Sequence, residues 1–161
     1  MIRSEERLIK HIREFIEEHV DLIDNNQWDT FYTILDDDMA DEDLYHNVGR
    51  ITDLLMDAGI DPLMHSDRVF NNMFVNSSIQ EFDVPEAITE LGVSAFFGSD
   101  IQYIKLHDGI TSIPFECFDM CYDLSEIYLP DSIVKVGDNA FLSTTTILCH
   151  EGSYAHRWAE T

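Results

Sequence analysis

The C-terminal half of the chain repeats one pattern three times, as IQEFDVPEAITELGVSAFFGSD at 79–100, IQYIKLHDGITSIPFECFDMCYD at 101–123 and LSEIYLPDSIVKVGDNAFLSTTT at 124–146. Apolar residues occupy matching offsets in the three segments, such as Phe96, Phe118 and Phe141. A period of 22 to 23 residues is typical of solenoids, whose units bury their apolar sides against one another. The spacing therefore predicts stacked repeats in this half.

The repeated pattern resembles the BspA-type leucine-rich repeat, whose units read roughly apolar-x-x-Ile-x-Ile-Pro-x-x-Ile-x-x-Ile-Gly-x-x-Ala-Phe-x-x-Cys. The middle unit departs from it, with His107 at the Pro step and Pro114 at the Gly step. The matching residues are Pro85 and Pro130, Gly92 and Gly137, and the pairs Ala95-Phe96, Cys117-Phe118 and Ala140-Phe141. The resemblance implies a repeat fold that binds partners, without shared catalytic residues.

The repeat region extends beyond the three full units at both ends. The segment 74–79 repeats the spacing at the end of a unit, which predicts about three and a half repeats starting near Asn72. The tail 147–156 is similar to the final strand and capping helix of that family, and Ser153 to Glu160 would form the cap. We therefore predict a repeat domain at 71–161.

Residues 1–70 show helical periodicity instead. An apolar stripe with a 3.6-residue period predicts a helix from Ser4 to Ile23, and shorter stripes predict helices at 28–35 and 44–58. Gly59 is placed to end the third helix, and Asp61-Pro62 to open a fourth. The expected fold class is α+β: a small acidic helical domain (1–70) packed on a short leucine-rich-repeat β-solenoid with a C-terminal capping helix. The helical domain would serve as the N-terminal cap or bind a partner independently.

Acidic residues dominate the composition. The chain has 32 Asp and Glu against 9 Lys and Arg, a formal net charge of −23, and the stretch 14–49 holds twelve acids without any Lys or Arg. The run 36–43 does not fit a calcium-binding EF-hand, because Asp41 stands where glycine is needed and Asn47 where glutamate is needed. Two explanations stay open: an acidic surface for solubility, or mimicry of a nucleic acid's phosphates.

The sequence predicts a non-catalytic protein-binding module whose partner has a basic surface. Its most concrete form is a phage-type nucleic-acid mimic that inhibits a host nuclease or another nucleic-acid-binding defence protein. The alternative is a generic leucine-rich-repeat scaffold whose acidity serves solubility alone. The expected partner-binding residues are Asp36, Asp37, Asp38, Asp41, Glu42 and Asp43 in the helical part, and Asp83, Lys105 and Tyr128 on exposed strand positions.

Other functions lack a sequence signal. The chain has no phosphate-binding glycine loop, HExxH, Gly-x-Ser-x-Gly or Cys-x-x-Cys motif, so we expect no catalytic, cofactor-binding or metal site. Cys117 and Cys121 match packing positions of the repeat, and their spacing disfavours a metal site shared with His150. Few basic residues argue against direct nucleic-acid binding. A charged N-terminal helix in place of an export signal predicts a cytoplasmic location away from membranes.

Overall fold

The computed structural model describes residues 2–37 and 41–161. Within these residues, five helices precede the first strand: α1 (Ile2–Glu18), α2 (Val20–Asp24), α3 (Trp28–Asp37), α4 (Glu42–Tyr45) and α5 (Val48–Asp57). Their buried faces carry the predicted apolar stripes, with Ile12, Phe31 and Ile51 almost without solvent exposure. The helical character predicted for the N-terminal part is therefore present.

Three helix predictions need correction. The first helix is broken at His19, whose ring nitrogen Nδ1 lies 2.7 Å from the carbonyl oxygen of Phe15 and whose backbone N–H bonds three residues back, to Ile16. The third is split, because Asp41 caps α4 and α5 begins only after Asn47. Residues 62–65 form a turn and not a fourth helix. In that turn the Asp61 carboxylate accepts a hydrogen bond from the backbone N–H of Leu63 at 2.9 Å.

Short strands follow the helices, and they pair in parallel. The strands are β1 (Arg68–Val69), β2 (Glu81–Asp83), β3 (Glu90–Leu91), β4 (Tyr103–Lys105), β5 (Ser112–Ile113), β6 (Glu126–Tyr128), β7 (Lys135–Val136) and β8 (Thr146–Leu148), with α6 (Tyr154–Ala159) at the end. The pairs are β1 with β3, β2 with β4, β5 with β7, and β6 with β8. The fold is therefore α+β. A β-solenoid would be expected to place its strands in one continuous sheet. Among the described residues the four strand pairs instead remain separate two-stranded sheets.

A ladder of phenylalanine rings runs through the repeat region, with one ring from each unit. Phe74 stacks on Phe96, Phe96 on Phe118 and Phe118 on Phe141, with ring centroids 5.0, 5.3 and 5.4 Å apart and planes within about 12° of parallel. Trp158 of α6 packs on Phe141 and covers this end of the ladder. Aromatic pairs of this kind contribute roughly 0.5–1.5 kcal/mol beyond burial, so the ladder joins each unit to the next.

The helical part packs directly on the first turn of the repeat region. A Cβ atom on Gly49 of α5 would lie 2.4 Å from the carbonyl oxygen of Val75, which leaves space only for glycine. The buried hydroxyl of Thr52 lies 2.7 Å from the carbonyl oxygen of Met73. The rings of Tyr32 and Phe70 stack 5.0 Å apart. These contacts cover the N-terminal end of the repeats with helix surface.

Candidate functional site

Strands β2, β4, β6 and β8 share one exposed surface, which we call the strand face. The central residues of β4 and β6, Ile104 and Ile127, are buried, while the flanking residues of each strand are exposed. The strand face consists of the flanking residues Glu81, Asp83, Tyr103, Lys105, Glu126, Tyr128, Thr146 and Leu148. The alternation of side chains along a strand explains this arrangement.

The register of the paired strands determines which residues are neighbours on the strand face. Glu81 pairs with Tyr103 and Asp83 with Lys105 across β2 and β4, and Tyr128 pairs with Leu148 across β6 and β8. Tyr103 therefore lies beside Glu81, and Tyr128 lies beside Leu148; Tyr103 is 53% exposed, and Tyr128 and Leu148 are each 42% exposed. Exposed tyrosines surrounded by polar groups are typical of protein-interaction surfaces.

Tyr128 is held in place by two residues that the sequence did not reveal as a group. Its ring packs edge-on against His150 with centroids 5.7 Å apart, and its hydroxyl lies 3.4 Å from Nε2 of that histidine. Nδ1 of His150 lies 3.0 Å from a carboxylate oxygen of Asp131. His150 follows the last strand and Asp131 follows β6, so only the parallel pairing of β6 and β8 brings these residues together.

The predicted acidic run 36–43 divides between internal contacts and exposed positions. The Asp36 carboxylate accepts a hydrogen bond from the amide of Asn72 in the repeat region. Asp41 accepts from the backbone N–H of Leu44 at 3.2 Å and contacts Nε2 of His11 at 2.6 Å. Glu42 and Asp43 are exposed in α4. Asp37 ends α3, and Asp38 lies outside the described residues.

Further acids occupy the outer side of the helices. We define the acidic helical face as the exposed residues Glu14, Glu17, Glu18, Asp21 and Asp24 of α1 and α2. Lys10 reaches Glu14 at 3.9 Å, a long contact between exposed groups that contributes little to stability. The five carboxylates give this face a strong negative charge.

The three cysteines are free, and two of them are buried packing residues. Cys121 donates its thiol hydrogen to the carbonyl oxygen of Phe96 at 3.0 Å. Burial raises the pKa of the Cys117 thiol well above its ordinary value and raises that of Cys121 to about 11. His150 bonds to Asp131 instead of approaching these thiols. Across residues 2–37 and 41–161, no group of three or more His, Cys, Asp or Glu side chains is arranged to hold a metal ion.

Helix length and composition also bear on membrane contact. None of the helices in the described part of the chain is both long enough and apolar enough to cross a bilayer.

Parallel strand pairs one repeat apart, together with a phenylalanine from every unit, define a protein built from leucine-rich repeats behind a helical N-terminal part. A family model described as "BspA type Leucine rich repeat region (6 copies)" matches residues 64–150, more than half of the chain. The chain belongs to the BspA-type leucine-rich repeat family, as its repeated pattern predicted. Repeats of this kind generally mediate protein–protein interaction and are typically non-catalytic. No curated protein and no solved structure matches the chain.

Proposed function

We propose that this protein is a non-catalytic interaction module whose repeats form a short solenoid and present the strand face to a protein partner. The observation that carries the proposal is the pairing of exposed Tyr128 with exposed Leu148 across β6 and β8, with Tyr103 exposed on β4. Tyrosine supplies a large contact area at low entropic cost, and the contacts of Tyr128 with His150 hold that ring in a fixed position. The tyrosines would form the centre of the contact, and Asp83 and Lys105 its polar rim.

We further propose that the partner has a basic surface. The strand face carries Glu81, Asp83 and Glu126 against the single cation Lys105. The acidic helical face adds more negative charge, and the whole chain has a formal net charge of −23. Such a field accelerates encounter with a cationic surface and repels nucleic acid, and salt weakens both effects.

The finer form of this function is inhibition of a nucleic-acid-binding enzyme by mimicry of phosphates, with the helical part (1–70) and the repeats (71–161) as two domains. Its support is the stretch 14–49, where twelve acids occur without Lys or Arg and the acids of α1 and α2 are exposed. Because Asp36 and Asp41 are engaged in internal hydrogen bonds, Glu42, Asp43 and the acidic helical face are the better candidates for phosphate mimics.

A comparison of variants tests the proposal. The tagged protein would capture partners from bacterial extract, and the affinity of the purified partner would then be measured for each variant. Tyr128→Ala is expected to weaken binding at least about tenfold, which is the scale of an interface hot spot. Tyr122→Ala is the matched control, because Tyr122 is 76% exposed on a turn outside the strand face. Equal affinities for wild type, Tyr103→Ala and Tyr128→Ala would refute a role for the strand face.

The same partner distinguishes mimicry from an ordinary repeat interaction. If mimicry holds, duplex DNA or RNA competes for the partner, and replacing the five acids of the acidic helical face with Asn or Gln abolishes capture. Complete capture by that variant, with no competition from nucleic acid, would leave the acidity as a solubility trait.

A further inference from the structure

The last repeat unit leaves apolar side chains open at its outer end. Three of its positions are half-buried, although Trp158 of α6 packs on Phe141. The same positions one unit earlier are at most 2% exposed. The half-buried residues are Val136, Phe141 and Ile147, and their partners in the preceding unit are Ile113, Phe118 and Ile127. Helix α6 therefore covers only part of this end.

A cleft of about 430 Å³ lies between the last unit and α6. Its apolar lining comes from Val136, Phe141, Leu142, Ile147 and Trp158. Among the described residues, Asp138 is the only charged residue that lines it. We call this the C-terminal cleft. Since its lining is largely apolar, contact with another apolar surface would remove it from water at a gain in free energy.

Backbone groups are also open at this end. The earlier phenylalanines of the ladder donate their backbone N–H to a carbonyl of the following unit, as Phe96 does to Cys117 at 2.9 Å and Phe118 to Ala140 at 2.8 Å. Phe141 is the last ring of the ladder, and its N–H has no such acceptor in the part of the chain that the structure describes. The hydrogen bonding that joins the units therefore stops at an open end.

Strand β8 forms the outer edge of the strand face at the same end. The N–H of Thr146 donates to the carbonyl of Ser125, and the carbonyl of Leu148 accepts from Leu129, both at 2.8 Å. These bonds are directed toward β6, so the N–H and C=O of Ile147 between them point away from β6. Within residues 2–37 and 41–161, no strand other than β6 pairs with β8. The edge of β8 is therefore open to pairing with a further strand.

The C-terminal end also differs from the rest of the chain in charge. Residues 132–161 contain three Asp or Glu and two Lys or Arg, whereas residues 1–131 contain 29 and 7. Three ladder steps of 5.0 to 5.4 Å separate this end from Phe74. That separation exceeds the screening length of roughly 8 Å at physiological salt. A basic partner is attracted elsewhere, while a second copy of this acidic chain meets the least repulsion here.

We infer that the C-terminal end docks a second copy of this chain, with β8 antiparallel to β8 of that copy around a two-fold axis at Ile147. Directly opposed residues of an antiparallel pair exchange both hydrogen bonds, so Ile147 would bond to Ile147 of the second copy. The two C-terminal clefts would then close against each other. The acidic helical parts would lie at opposite ends of the dimer, and the inference does not depend on the proposed function.

Sedimentation of the full-length protein over a range of concentration tests the inference. Between about 1 µM and about 1 mM, the average mass is expected to rise toward twice that of the chain. Raising NaCl from about 0.05 M to about 0.5 M should strengthen the association, because salt screens the repulsion between two acidic chains. Binding of a basic partner would show the opposite salt dependence.

Two variants with the same charge change locate the interface. Leu142→Asp places a carboxylate in the C-terminal cleft, and the fold accepts it because Asp119 holds the same position in the preceding unit. The dimer should weaken at least about tenfold, because the two-fold axis buries two such carboxylates. Val134→Asp is the matched control, since Val134 is 64% exposed in the same unit and lies outside the cleft. It should associate like wild type.

Hydrogen exchange supplies a readout that needs no variant. The amide of Ile147 is expected to exchange more slowly in concentrated than in dilute wild-type protein, while the amides of α1 exchange at the same rate in both. A slowing that spreads to the helices would place the contact elsewhere and contradict the inference.

Several results would overturn the two-fold contact: a monomer at every concentration and salt, association that salt weakens, assemblies that grow beyond two chains, or equal association by Leu142→Asp and wild type. A monomer whose capture of a partner is lost in Leu142→Asp would assign the open edge to a strand of that partner, and this also refutes a second copy. Tyr128→Ala should dimerise like wild type, so loss of the dimer and loss of strand-face binding are separate outcomes.

Discussion

Replacement of Thr52 by valine should destabilise the whole protein, because one hydroxyl joins the helical part to the repeats. Thr52 of α5 is fully buried and lies 2.7 Å from the carbonyl oxygen of Met73 and 2.8 Å from the Tyr32 hydroxyl. With the Thr52 proton directed to Met73, the Tyr32 hydroxyl donates to Thr52. The valine side chain has nearly the same shape, so the variant removes the hydrogen bonds and leaves little cavity.

The magnitude follows from the groups left without partners. Valine orphans the buried carbonyl of Met73 and the buried hydroxyl of Tyr32, and each costs about 1–3 kcal/mol. We therefore expect a loss of roughly 2–6 kcal/mol. Tyr32→Phe leaves the bond from Thr52 to Met73 intact and should cost about 1 kcal/mol. The double variant orphans only the carbonyl, so its loss should be smaller than the sum of the single losses.

Urea unfolding followed by circular dichroism and by tryptophan fluorescence measures these losses. Thr52→Ser is the matched control, because it keeps the hydroxyl and removes one methyl group, for about 1 kcal/mol. The reasoning fails if Thr52→Val is no more destabilising than Thr52→Ser, or if the two single losses add in the double variant. Coincident transitions for both probes would support the helical part as the cap of the repeats, whereas a separate early transition would make it an independent unit.

Two further predictions concern single side chains. Burial raises the pKa of the Cys117 and Cys121 thiols, so only the half-buried Cys149 should react with a thiol reagent at pH 8 in the folded protein. All three thiols should react in urea. Two fast-reacting thiols in the folded protein would contradict this prediction. The Asp41 carboxylate, which hydrogen-bonds His11, raises the pKa of that imidazole, with smaller contributions from Glu14 and Asp43. The stabilisation from protonated His11 is fully present below the ordinary histidine pKa of about 6.5 and is lost as the pH rises through the raised pKa. The difference in unfolding free energy between wild type and His11→Gln should therefore fall between pH 6 and pH 9. A difference that stays constant over that range would exclude this linkage.

The repeat region could be predicted from the sequence because its packing positions recur with a fixed period. Phe96, Phe118 and Phe141 had to stack once the units stacked, and the same spacing assigned Phe74 to the ladder. Strand β1 at Arg68–Val69 was harder to find. It pairs with Glu90–Leu91 in the same register, but only Val69 is buried in this two-residue strand, which gives the pattern too little signal.

Backbone conformation explains most of what the sequence did not reveal. Residues with a left-handed backbone conformation (positive φ) recur once per unit, at Asn72, Ser94, Glu116 and Asn139. Of these, only the asparagines are residue types that favour this conformation. At Ser94 and Glu116 the stacking of neighbouring units imposes the turn. In the same way, the contacts of His150 with Tyr128 and Asp131 depend on the pairing of β6 with β8, which no local pattern encodes.

The acidic residues of the chain fall into two groups, internally hydrogen-bonded and exposed, that composition alone could not separate. Asp36, Asp41 and Asp53 accept hydrogen bonds within the chain; Asp53, for example, accepts from the Ser77 hydroxyl at 2.6 Å. The exposed acids of α1 and α2 are different, because lysine or arginine four residues away would add about 0.2–0.5 kcal/mol per pair and retain solubility. The stretch 14–49 supplies no lysine or arginine for such pairs, and Glu14 contacts Lys10, which precedes the stretch. A mixture of charges would have provided solubility equally well, so the variants of the acidic helical face decide between the proposed basic partner and a solubility trait.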